Sequence, residues 1–248
     1  MILPLGLTPG AAVFLAAVVF VAAYVRGYSG FGYPVLVVAA GALVVNPLLL
    51  VPAAVLGDLV LCAQHWPAAR RHVHWPTVLR LGIGAALGLV PGVWALTLVD
   101  EQAARLIIGG AVLLAALVML RGWTLPGRAG PVVTVAMGAV SGLAAPAGVA
   151  GPPVVALAAA LGLAPLAFRA TLLAYFIALD GMTLGQFALA GRMDSAVLWL
   201  TAASVPLVVI GSWWGARQSL GVDPASFRRA TIGALLVMAV IGLARALW

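Results

Sequence analysis

Lysine is absent from the 248-residue chain, and all 13 basic residues are arginine. Without a primary amine, P-loop phosphate binding and Schiff-base chemistry are excluded. A lone cysteine, Cys62, leaves no internal disulfide and no thiolate pair for a structural zinc site. Charged residues make up 8% of the chain, against about 25% in soluble domains, which excludes an ordinary globular enzyme. What is there is apolar. Hydrophobic residues account for 65% of the chain, and the mean hydropathy of +1.18 is spread over its length, not gathered in one anchor. At roughly 20 residues per helical span, there is room for about eight to ten spans and no soluble domain beside them. A pI near 11.1 would suggest nucleic acid in a soluble protein. Here the arginines sit mainly between apolar runs, where they anchor cytoplasmic loops, and no nucleic-acid partner is expected.

The first apolar run, Leu7 to Val25, lacks the basic n-region and the cleavage site of a signal peptide. It flows into Arg26-Gly27-Tyr28-Ser29-Gly30-Phe31-Gly32-Tyr33-Pro34. Further runs are Val35–Val45, Leu48–Gln64, Val78–Val99, Ala103–Leu120, Pro131–Ala145, Pro153–Leu163, Pro165–Leu189, Ala196–Gly215 and Ala225–Trp248. Val35–Val45 and Pro153–Leu163 would cover only about half of a ~30 Å hydrocarbon core, so they read as half-helices. Each follows a Gly/Pro-rich break, and such a break survives in lipid only where it faces protein or a wet cavity.

The pattern of run, break, half-helix and proline turn occurs twice, with turns at Pro47 and Pro165. After each turn comes a long helix carrying an acid and a glutamine at the same spacing, Asp58 with Gln64 and Asp180 with Gln186. The expected organisation is a duplication of about 120 residues, 1–125 and 126–248. If each run, break and half-helix forms a hairpin that enters and leaves by one face, the loop arginines segregate. Arg70, Arg71, Arg121, Arg128, Arg217, Arg228 and Arg229 then share a side, with Arg80 at the start of its span. Arg105, Arg192 and Arg245 face the other way, diluted by Asp100, Glu101 and Asp194. The positive-inside rule therefore favours a hairpin plus about three spans per half and inverts the second copy, with 66–76, 121–130 and 217–224 cytoplasmic.

Reactive side chains are few. Gly27-Tyr28-Ser29-Gly30 matches the G-x-S-G of intramembrane serine proteases. That chemistry needs a base, and His65, His72 and His74 cluster at one basic loop with none in a later span. Without a carboxylate or second cysteine beside them, the histidines also read as an interfacial loop and not a metal site. The stronger reading makes the two breaks ligand cradles. Glycine lets backbone approach a ligand, and half-helices beginning at Val35 and Val154 would aim N–H groups into each gap, favouring an anion. Close helix packing by small residues is the competing account of the same glycines.

Arg26 stands at the edge of the first break, as a membrane-embedded charge or as an interfacial helix end. Asp58 and Asp180 are the carboxylates farthest from loops, hence candidate proton carriers or partners for Arg26. Ser29, Ser141 and Thr171 could donate to substrate oxygens, though helix hydroxyls commonly bond their own backbone. Trp66, Trp75, Trp94, Trp123, Trp199, Trp213, Trp214 and Trp248 lie near span ends and read as an aromatic belt.

Ser29-Gly30-Phe31-Gly32-Tyr33-Pro34 and Ser141-Gly142 through Gly148-Val149-Ala150-Gly151-Pro152-Pro153, with the Pro47 and Pro165 turns and the duplication, resemble the TauE/SafE sulfite exporter family. The resemblance covers essentially the whole chain. It implies a bacterial inner-membrane carrier for sulfite, organosulfonates or related small anions, driven by an ion gradient. The expected protein is an all-α, polytopic, multi-pass inner-membrane transporter of two inverted repeats, each a Gly-broken hairpin plus about three transmembrane helices. It is expected not to be an enzyme, to use no cofactor or metal, and to meet lipid and a small inorganic or organic anion, with a homodimer left open. The expected substrate site comprises Arg26, Gly27, Ser29, Gly30, Gly32, Pro34, Ser141, Gly142, Gly148, Gly151, Pro152 and Thr171, with Asp58 and Asp180 for proton coupling. A channel-like facilitator and a hydrolase using Ser29 stand as rivals, separated by pH-gradient dependence and by labelling with a fluorophosphonate.

Overall fold

The computed structural model describes residues 7–121 and 129–218. The run Ala225–Trp248, most of the loops 121–130 and 217–224, and Arg128, Arg228, Arg229, Arg245, Trp123 and Trp248 lie outside them. Among the described residues the chain is helical, without strands: α1 Pro9–Ser29, α2 Tyr33–Gly41, α3 Pro47–Ala69, α4 Trp75–Thr97, α5 Glu101–Leu120, α6 Pro131–Ala144, α7 Gly151–Ala160, α8 Pro165–Leu189 and α9 Ser195–Gln218. Six of them, with α3 extended to His72, are long and apolar enough to cross a membrane.

Local chemistry sets the helix ends. Thr8, Asn46 and Asp100 cap α1, α3 and α5 by accepting the N–H groups of Ala11, Leu48 and Ala103. Pro9, Pro47 and Pro131 occupy first turns, where the missing N–H costs nothing. Gly30 ends α1 in the left-handed region at φ 87°, its N–H returning to the Arg26 carbonyl at 2.7 Å. Gly32, at φ 100°, opens α2. Two left-handed glycines around Phe31 thus reverse the chain in three residues.

The short helices begin two or three residues earlier than the sequence suggests, at Tyr33 and Gly151 instead of Val35 and Val154. The prolines sit inside the first turn, because proline is preorganised for that position. The consequence is chemical: Pro34, and Pro152 with Pro153, occupy first-turn positions, so each short helix has fewer free N–H groups at its start to offer an anion.

Helices α1 and α2 form an antiparallel hairpin. Gly41 lies against Leu15 and Leu50 at the open end, and Gly32 approaches Val25 near the tip. Helix α3 begins at that open end, α4 returns to it packed against α6 and α8, and α5 starts where Asn46 donates to Glu101 at 2.8 Å. At this acidic end lie Asp100, Glu101 and Asp194, with Arg105 bonded to Glu101 and Arg192 bonded to the Thr97 carbonyl. At the opposite end Arg70, Arg71, Arg121 and Arg217 terminate helices, while Arg80 and Arg169 lie near the starts of α4 and α8.

Two close seams tie the chain together. On α4, Gly84, Gly88 and Gly92 meet Val135, Ala139 and Leu143 of α6, while Gly138 and Gly142 meet Leu81 and Ala85 in return. The matched order makes α4 and α6 parallel. On α9, Gly211 meets Phe20 and Ala23, and Gly215 meets Tyr24 and Tyr28, so α9 runs parallel to α1. Small residues let these backbones touch, which is how helices associate where apolar surface gains nothing by leaving lipid. Outward on α4, Leu79, Ile83, Leu87, Val90 and Trp94 form an exposed apolar stripe. Such a face suits lipid.

Candidate functional site

Arg26 points inward from the last turn of α1 and is 4% exposed. Its Nε donates to Asp58 Oδ1 at 2.7 Å and its Nη2 to Asp58 Oδ2 at 3.3 Å. The same Nη2 reaches Cys62 Sγ at 3.2 Å. The guanidinium carbon lies 5.2 Å from the ring centre of Phe176 on α8. Helix periodicity assembles the partners: Asp58 with Cys62 on α3, and Phe176 with Asp180 on α8, are both (i, i+4) pairs on one face.

Asp180 is the odd member. It is 6% exposed, its Oδ2 has no hydrogen-bond partner, and ligand atoms of Asp58, Cys62 and Asp180 lie within 4.8 Å of one another. That donor set could hold a cation, but Arg26 already bonds two of its three members. With one guanidinium and two ionised carboxylates, the cluster would carry an uncompensated buried negative charge, a cost of several kcal/mol. A proton on either acid removes it.

The two breaks flank this cluster. Gly148, at φ 76°, lies so close to α2 that a methyl on it would come within 3.2 Å of the Pro34 carbonyl and 3.3 Å of Val38. A methyl on Gly151 would lie 3.4 Å from Phe31 and 4.0 Å from Phe176. Of the expected site residues, then, Arg26 is bonded to Asp58 with Asp180 beside it, Gly151 lies near the Phe176 that packs on the guanidinium, Gly148 lies against Pro34, and Gly30 and Gly32 form the tip of the first hairpin.

Others are placed differently. Gly27 faces the Ser212 backbone on α9 and Gly142 faces Ala85 on α4, so both are packing residues, small because helices cross there. Ser29 Oγ lies 2.8 Å from the Val25 carbonyl and 2.7 Å from that of Phe31. Ser141 donates to the Ala150 carbonyl and accepts from Tyr175, each at 2.7 Å. Thr171 accepts the His74 N–H at 3.0 Å near the arginine-rich end. These hydroxyls shape backbone. His65 lies within α3, its Nε2 2.7 Å from Ser212 Oγ, and gives Ser29 no base.

The profile of the sulfite exporter TauE/SafE family matches residues 15–241. The chain belongs to this family. A probable sulfite/organosulfonate exporter TauE of Cupriavidus necator is 29% identical over 229 residues, covering 90% of each chain. No solved structure matches. As a TauE/SafE protein the chain is a multi-pass membrane transporter and not an enzyme. Cys62 and Phe176 touch Arg26, and Tyr175 touches Phe176; motif reading passed over all three. Their one sequence signal is the (i, i+4) spacing from Asp58 and Asp180 and, for Tyr175, adjacency to Phe176.

Proposed function

We propose that the protein is a proton-coupled secondary transporter of a small oxyanion, sulfite or an organosulfonate, in the bacterial inner membrane. The related exporter's name supports the substrate class. One observation carries the mechanism: Arg26, the only arginine among the described residues buried in the core, is held by Asp58 while Asp180 beside it has a buried oxygen without a partner. An arriving oxyanion competes with Asp58 for the guanidinium fork, whose planar donors suit two oxygens at once. In the resting cluster the guanidinium balances one ionised carboxylate; once the oxyanion takes the guanidinium, that carboxylate is left buried without a counter-charge, which is costly until a proton neutralises it. One anion bound therefore goes with one proton taken up.

Alternating access around this site fits two halves of opposite orientation. Support comes from the exchange of partners: α1 packs on α9 and α6 on α4, the first helix of each half on the fourth of the other. The first hairpin opens at the acidic end. Helix α6 begins beyond α5, at the arginine-rich end, so the second hairpin opens oppositely. The seams join helices from both halves, so the moving bodies are mixed pairs and not the two sequence halves.

The test is sulfite flux in reconstituted vesicles. Asp180→Asn is expected to keep sulfite exchange and to lose stimulation by a pH gradient. Full gradient dependence in both Asp180→Asn and Asp58→Asn would remove the coupling scheme.

A further inference from the structure

We propose that Arg169 is the capture residue that draws the oxyanion from the arginine-rich face into the first break, a role that rests on the transport reading above. Arg169 stands near the start of α8 and is exposed, unlike Arg26. Its Nη2 donates to the Tyr28 carbonyl at 2.7 Å, and its side-chain stem lies against the site of Gly30, 3.9 Å from where a methyl would stand. The guanidinium has five N–H donors in a planar fork, more than one carbonyl bond uses. It is thereby fixed at the tip of the first hairpin, on the carbonyl of Tyr28, which follows Arg26 within one turn of α1.

The surroundings make this a funnel for anions. Among the described residues every acid outside the core, Asp100, Glu101 and Asp194, lies at the other end, while Arg70, Arg71, Arg80, Arg121 and Arg217 lie at this one. A single-sign face beside low-dielectric walls concentrates counter-ions at its opening. Of those arginines, Arg169 is the one whose side chain reaches the break. The competing account is local: an arginine at the carboxyl end of α1 satisfies an orphan carbonyl and does nothing for substrate.

The two accounts differ in salt dependence. Initial rates of sulfite flux are measured in vesicles oriented with the arginine-rich face outward, from low to physiological ionic strength. Capture by an exposed charge is screened by salt. For wild type, KM is expected to rise with salt. Arg169→Gln is expected to raise KM about tenfold at low salt, to flatten its salt dependence and to leave the maximal rate in place. Arg169→Lys keeps the charge and should stay within about threefold of wild type, which guards against loss of fold in the glutamine variant. Arg121→Gln, which removes a charge from the same face away from the break, serves as the control. An Arg169→Gln protein with the KM and salt dependence of Arg121→Gln overturns the proposal, as does a fall in maximal rate alone at every salt concentration. Absence of any anion flux in wild type would instead remove the transport reading, and this role with it.

Discussion

At the scale of single residues, the core depends on one pair. Arg26 and Asp58 are 4% and 1% exposed, so neither charge has water to fall back on. Removing one partner of such a pair costs about 3–5 kcal/mol, because the other is left buried and unpaired, whereas removing both is often nearly neutral. Arg26→Met should therefore destabilise the protein severely, with two buried acids remaining at the cluster and no cation to balance either. Arg26→Met combined with Asp58→Asn should recover most of the thermal stability in detergent while restoring no transport. A double variant no more stable than Arg26→Met would show that the pair is not the stabilising contact. The pairing was half legible in sequence. Arg26, Asp58 and Asp180 stand out because charge is costly in apolar runs, but nothing in the order of residues says which acid takes the arginine. The depth at which α1 stops relative to α3 decides that. Cys62 was harder to find, since a lone thiol has no partner spacing and its role follows only from standing one turn after Asp58.

At the scale of elements, glycines do two different jobs that the sequence runs together. Gly30, Gly32 and Gly148 adopt positive φ and reverse the chain, whereas Gly84, Gly88, Gly138 and Gly142 are helical and bring backbones into contact. Gly142 sits inside a motif that looks continuous with the break, and only the crossing of α4 and α6 assigns it to packing. Neighbouring glycines of α4 provide a test. A Cβ on Gly88 would collide with the Ala139 carbonyl, while one on Gly82 meets nothing within 4 Å. Gly88→Val should thus force α4 off α6 and sharply lower the yield of folded transporter, whereas Gly82→Val should express and transport like wild type. Equal yields of the two would mean that the α4–α6 seam contributes little. The half-helices were legible as short runs, but their starts were not. Proline marks a break in sequence and yet belongs to the first turn of the helix that follows.

At the scale of the whole molecule, orientation follows from charge that the fold has sorted. The described helices carry Arg70, Arg71, Arg121 and Arg217 to one end and Asp100, Glu101 and Asp194 to the other. Short arginine-rich loops are retained on the cytoplasmic side during insertion, while acids contribute little to the choice. The 70–74 turn is then expected to be cytoplasmic and the 190–194 turn to face outward. Cysteine labelling tests this without altering the arginines or the Asp194 cap. In a Cys62→Ser background, which keeps an acceptor for Arg26, His72→Cys and Ser195→Cys each place one thiol at an exposed position. An impermeant maleimide added to intact cells should modify Ser195→Cys and spare His72→Cys until the membrane is opened. This outcome would place the Arg169 side of the first break toward the cytoplasm, as export of an anion requires. Reaction of His72→Cys from outside, with Ser195→Cys protected, would reverse the molecule and make the arginine-rich face a site of uptake.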